Sequence, residues 1–101
     1  MIIYNVTVGV DKEIEQEWLT WMKGEHIPKV MKSGMFHDSK MYKILGHDDP
    51  ATSSYSIQYF AESIGNVEEY LASHAPALIR EHQLKYKDRH VAFRTLLEEV
   101  V

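Results

Sequence analysis

The residues of this chain best placed to do chemistry are histidines set beside aromatic rings. Trp21 precedes His26-Ile27-Pro28 and Tyr70 precedes His74-Ala75-Pro76, so an aromatic followed by His-x-Pro closes a helical stretch in each half. His82 follows beyond Pro76. A neutral imidazole that looks into a pocket can serve as general acid, general base or axial ligand. His74 and His82 fall on apolar helix stripes and are candidate catalytic residues, with Asn5 of the first strand as a third. Trp21 and Tyr59, together with the same two histidines, are candidate ligand-binding residues, because large rings wall an apolar pocket.

Each of these features also has an architectural reading. A histidine at a helix carboxyl terminus meets the favourable end of the helix dipole, and a proline stops the helix. That reading takes most of the weight for His26. A metal needs three or four converging ligands, usually with a pair three or four residues apart on one helix. No His-x-x-x-His or Glu-x-x-His occurs, and His26 and His74 should lie at opposite ends of the helix layer, so neither a metal nor a cofactor is expected. Gly-x-Ser-x-Gly, the P-loop and Gly-x-Gly-x-x-Gly are absent, which leaves hydrolase, nucleotide-triphosphate and dinucleotide readings unsupported.

The elements that position these residues follow from periodicity. Residues 2–10 alternate Ile2, Tyr4, Val6 and Val8 against Ile3, Asn5, Thr7 and Gly9, which predicts a half-buried strand. Asp11 offers a cap for a helix starting near Lys12, on which Ile14, Trp18, Trp21 and Met22 form one inward stripe. A regular helix would bring Glu25 onto that stripe, so either the helix bends at Gly24 or Glu25 has a partner. Pro28 ends or kinks it near His26, and one further turn runs to Gly34. Residues 35–44 and 55–60 read as two strands joined by a mobile, turn-rich loop over residues 46–54. Helical stretches follow at 63–73 and 77–86, interrupted by Pro76, and residues 91–100 alternate as the last strand.

Strand, helix, strand, strand, helix, strand is the split βαβ pattern of ferredoxin-like domains. The expectation is one α+β domain over residues 1–101, with a four-stranded antiparallel sheet and its helices on one face. The other face should carry Ile3, Asn5, Thr7, Tyr42, Phe60, Ala92 and Leu96. Such an apolar face predicts a homodimer through the open sheet. With 11 basic and 15 acidic residues the net charge is −4, so no nucleic-acid partner is expected. No run approaches the roughly 20 apolar residues of a membrane span. Neither a charged leader nor a continuous apolar run opens the chain, so a cytoplasmic location without membrane contact is the expectation.

MIIYNVTV at residues 1–8, EWLTWMKGEHIPKVM at 17–31, HAPAL at 74–78 and VAFRTLLEEV at 91–100 together resemble a family of short bacterial proteins defined by a domain of unknown function. More distantly the pattern is similar to the dimeric α+β barrel superfamily, which includes antibiotic-biosynthesis-type monooxygenases and haem-degrading enzymes. That resemblance implies an asparagine on the first strand, a tryptophan near the end of the third and a histidine in the second helical region. Asn5 and either His82 or His74 correspond to two of these places, and Tyr59 or Phe60 stands where the tryptophan would be.

Two functions from different classes follow. The first is a non-catalytic homodimeric module that binds a small hydrophobic ligand or a protein partner. The alternative is a monooxygenase-like enzyme acting on a hydrophobic small molecule or haem, using Asn5, His74 or His82 in a pocket shaped by Trp21 and Tyr59.

Overall fold

The computed structural model describes residues 1–46 and 49–101. Its sheet has the strand order β2 (Asp38–Lys43), β3 (Thr52–Ala61), β1 (Ile2–Asp11), β4 (His90–Glu98), with every neighbouring pair antiparallel. The long central strands are β1 and β3, flanked by β2 and β4. In β1 the even residues Ile2, Tyr4, Val8 and Val10 are buried beneath the helices, as a strand with one covered face requires. The same face receives Tyr55, Ile57 and Tyr59 of β3, which pair with Val8, Val6 and Tyr4. This is the expected ferredoxin-like α+β arrangement.

Among the described residues four α-helices cover that face: α1 (Glu15–Trp21), α2 (Ile27–Met31), α3 (Ile64–Ser73) and α4 (Ala75–Lys85). Helix α3 is capped by Ser63, whose hydroxyl accepts from the Asn66 amide at 3.3 Å. Helix α1 is tied to the sheet through Glu15, which accepts from Tyr55 Oη and from Ser53 Oγ at 3.1 Å. Those bonds, the Tyr55 hydroxyl first, hold the Glu15 carboxyl below its usual range. They also fix the rotation of α1, so that Trp18 is fully buried against the Tyr55 ring, 5.1 Å away.

One expectation is sharpened and two need correction. Of the end or kink expected near His26 the chain takes the second: Met22–His26 forms a π-helical turn that leads directly into α2, with Pro28 in its first turn. The extra residue of that turn leaves Glu25 exposed and rotates His26 into the core, so the bend resolves the Glu25 conflict. The facing of β4 is inverted. Val91, Phe93, Thr95 and Leu97 pair with Gly9, Thr7, Asn5 and Ile3, on the open face. Ala92, Arg94 and Leu96 pair with Val8, Val6 and Tyr4, on the helix side. Strand boundaries also shift: β2 begins only at Asp38, because Met35 and Phe36 leave the strand and the buried Phe36 ring packs at 4.9 Å on Tyr70. β3 begins at Thr52, inside the expected loop; that loop's expected mobility falls partly on residues 47 and 48, outside the described residues.

Candidate functional site

Between the helix layer and the sheet lies a small cavity of about 20 Å³, the room one water molecule needs. Tyr4 and Tyr59 rise into it from the central strands, Arg94 from β4, His26 from the π-helical turn, Tyr70 from α3 and His82 from α4. Each arrives for a local reason. Tyr4 and Tyr59 are cross-strand partners on the covered face, and Arg94 sits on the same face because it pairs with Val6. His82 shares a stripe of α4 with Leu78, Ile79 and Tyr86, and His26 is delivered by the inserted residue of the π turn.

The histidines form a column. His26 and His82 are 8% and 3% exposed, with ring centroids 5.3 Å apart, and His82 stacks on His90 at 4.3 Å and 20°. Trp18 Nε1 donates to His82 Nε2 at 3.0 Å. An indole nitrogen can only donate, so Nε2 is the bare nitrogen of His82 and its proton resides on Nδ1. His90 meets the Tyr86 carbonyl through Nδ1 at 2.8 Å, and because a carbonyl only accepts, that nitrogen carries the proton. Burial pushes His82 down to about 3, helped by the nearby His90, His26 and Arg94. Burial likewise pushes His26 down to about 4, with Glu81 opposing and Lys29 and Arg94 assisting. Both rings are therefore neutral at physiological pH.

The opposite wall is phenolic. Tyr4, Tyr59 and Tyr70 cluster with Phe36, their centroids 4.9 to 6.0 Å apart. Arg94 Nε donates to Tyr4 Oη at 3.1 Å, and Arg94 forms no ion pair among the described residues. The hydroxyls of Tyr59 and Tyr70 make no hydrogen bond to any described residue. The same is true of the buried His26 Nδ1. Burial pushes the pKa of all three tyrosines up, so each phenol keeps its proton.

Of the residues singled out from sequence, Tyr59 and His82 meet in this cavity, and Trp21 backs it, 5.1 Å from the His26 ring and 5.5 Å from that of His82. His74 stands outside it, half-buried at the α3–α4 junction and stacked on Tyr70 at 6.2 Å. Asn5 lies on the opposite face of the sheet, donating to Thr7 Oγ1 at 3.0 Å and accepting from Ser56 Oγ at 2.6 Å. Sequence reasoning missed His26, Arg94, Tyr4 and Tyr70 as members of the site. An arginine inside the apolar β4 run was the available signal for Arg94, and the awkward inward position of Glu25 was that for His26. Among the described residues no three histidine, aspartate or glutamate side chains converge as metal ligands. A haem does not fit: the space is water-sized, and Asn5 and His82 are separated by the sheet.

Solved structures share the fold. An ethyl tert-butyl ether d (EthD) family protein from Bacillus halodurans matches 99% of this chain with all of its own length, at 14% identity and a TM-score of 0.68. SnoaB, a cofactor-independent oxygenase from Streptomyces nogalater, solved as a point mutant, matches over 97% of this chain and 92% of its own, at 8% identity and a TM-score of 0.61. A putative antibiotic biosynthesis monooxygenase from Bacillus cereus matches over 99% and 97%, at 16% identity and a TM-score of 0.56. These likenesses show a shared α+β fold. No curated protein matches the chain. No helix among the described residues is long and apolar enough to cross a membrane. The family model that does match covers residues 1–100, and the chain accordingly belongs to the DUF4286 family, a domain of unknown function.

Proposed function

We propose that this protein is a cytoplasmic, non-catalytic homodimeric module that binds a small, largely hydrophobic ligand between its helices and its sheet. The observation that carries the reading is the set of polar groups without protein partners in an aromatic-walled space: the Tyr59 and Tyr70 hydroxyls and His26 Nδ1. Buried polar groups are ordinarily paired, so a site with a buried His26 Nδ1 left unpaired and two phenol hydroxyls free of partners among the described residues has room in its chemistry for a guest. The cavity is too small to enclose an organic molecule, so the ligand inserts one end, with Trp21 backing the histidine wall.

The second copy is argued from the open face. Val91 is 71% exposed and Phe93 62% on β4, and the same face carries the cross-strand row Leu97, Ile3 and Phe60 and, on β2, Tyr42. Large apolar side chains this exposed on one sheet face mark an interface, and a second copy supplies a matching surface. Native mass spectrometry of protein purified from its own host tests both parts, since one spectrum reports oligomer and retained ligand. Phe93→Asp should give a folded monomer. A wild-type protein that is monomeric across micromolar concentrations sinks the dimer.

The enzymatic alternative has one observation in its favour: two neutral imidazoles, one with its tautomer set by Trp18, face a cavity that largely excludes water. Proton abstraction from a hydrophobic substrate is the chemistry that arrangement suits. Turnover abolished in a folded His82→Gln variant would be its signature.

A further inference from the structure

We infer that the cavity is an oxyanion site, and that its ligand is a planar organic carboxylate whose charged end inserts past Arg94 and His82. This inference rests on the ligand-binding reading above and names the chemistry of the guest.

The composition of the lining carries it. Among the described residues no aspartate or glutamate lines the cavity, while Arg94 brings a full positive charge. Arg94 Nε is engaged by Tyr4 Oη, and no carboxylate among the described residues pairs with the remaining guanidinium nitrogens. Tyr4 Oη accepts that bond and keeps its own proton to donate. Tyr59 Oη and Tyr70 Oη bring two further hydroxyls without partners, Tyr59 on a residue only 2% exposed. His82 holds its only proton on Nδ1, because Trp18 occupies Nε2. The result is a space with one cation, no anion and several hydrogen-bond donors in excess of acceptors. Water would satisfy the donors one at a time, whereas a carboxylate matches the charge and the planar fork of the guanidinium together.

A wider cleft adjoins the cavity on the Arg94 side. A second cleft, about 350 Å³ in volume, shares His82 and Arg94 with the inner cavity and continues outward past Gln83, Lys87 and His90. Its size suits the ring of a small aromatic acid, and Lys87 adds a second positive charge at the mouth against a single acid, Asp88. The stacked His82 and His90 rings form a flat wall on which such a ring can lie.

The probes are benzoate and its neutral isostere benzamide, titrated while the fluorescence of Trp18 and Trp21 is followed. Benzoate should give a saturable change, and benzamide should bind roughly ten-fold or more weakly, as the loss of a charge-assisted pair implies. Arg94→Gln, at an exposed position, should reduce benzoate to the level of benzamide. Tyr59→Phe should weaken benzoate several-fold without disturbing the fold, which circular dichroism checks. Equal binding of the two probes, no saturable change with either, or the same change with chloride at matched ionic strength would each overturn the inference. Sedimentation of the same samples reads the dimer separately. Failure of the carboxylate chemistry in a dimer that retains a neutral ligand from its host would leave the binding reading standing.

Discussion

At His26-Ile27-Pro28 the backbone stays helical through the proline, with His26 at φ −68° and ψ −55°, whereas at His74-Ala75-Pro76 it breaks, with His74 at φ −119° and ψ −42°. The two junctions carry the same motif and both place proline in the first turn of the following helix. What separates them is the residue count before the histidine. The first junction spends one extra residue in a π-helical turn around Gly24, and the extra residue rotates His26 beneath the helix layer. The second has no such turn: α3 ends, α4 starts, and His74 stays half-buried on the Tyr70 ring. A motif therefore does not decide whether its histidine faces a core or solvent; the helical phase leading into it does.

Acid should expose this difference most strongly. The folded values of His26 and His82 lie at about 4 and about 3, below the ordinary 6.5. Between those limits the unfolded chain binds more protons than the folded one, so stability present above pH 6.5 is lost as pH falls toward 3. Together the two rings should remove about 3–5 kcal/mol by roughly pH 4.5. Urea unfolding at neutral and acidic pH measures it. A His26→Leu/His82→Leu double variant should show a much flatter dependence over this range; a wild-type slope in that variant would mean other groups titrate.

Next in size is the contrast between the two histidines of the second half. His82→Leu leaves the Trp18 indole N–H buried without an acceptor and should cost about 1–3 kcal/mol. His74→Leu removes only a ring contact at a half-exposed junction, so its effect should stay within about 0.5 kcal/mol. Thermal unfolding of the pair reads both, and equal losses would erase the distinction between core and junction histidine.

Most of the fold was legible because β1, α1 and α4 each bury one face. The alternation of Tyr4, Val6 and Val8 and the stripe Leu78, Ile79, His82 and Tyr86 carry a direction as well as a period. In β4 the alternation has a period but no direction. Val91 and Phe93 on one side and Ala92 and Leu96 on the other are all apolar, and only pairing with β1 shows which set meets the helices. The same ambiguity hid Arg94, whose side was fixed by register rather than by hydropathy. His26 was hidden for a different reason, since a 3.6-residue period assigns the inward place to Glu25. The cost of burying Glu25 was itself the sign that the period is broken there. The meeting of His26 with His82 depends on how α4 packs against the π turn, which no local pattern encodes.

The smallest effect tests the origin of that broken period. Gly24 lies inside the π turn with a backbone outside the left-handed region, and a Cβ added there would meet nothing within 4 Å. If the turn is imposed by packing on either side, through Trp21 and His26, glycine is not needed for it. Gly24→Ala should then stabilise the protein by about 0.4–1 kcal/mol, by lowering the entropy of the unfolded chain. If instead the wider turn depends on glycine's freedom, the same substitution should return the segment toward a regular helix, drive Glu25 inward and destabilise the fold. The sign of the change in melting temperature separates the two. A stabilised variant whose His26 keeps its depressed pKa, followed by its ring-proton NMR shift against pH, would show that the phase of the first junction is set by its buried neighbours.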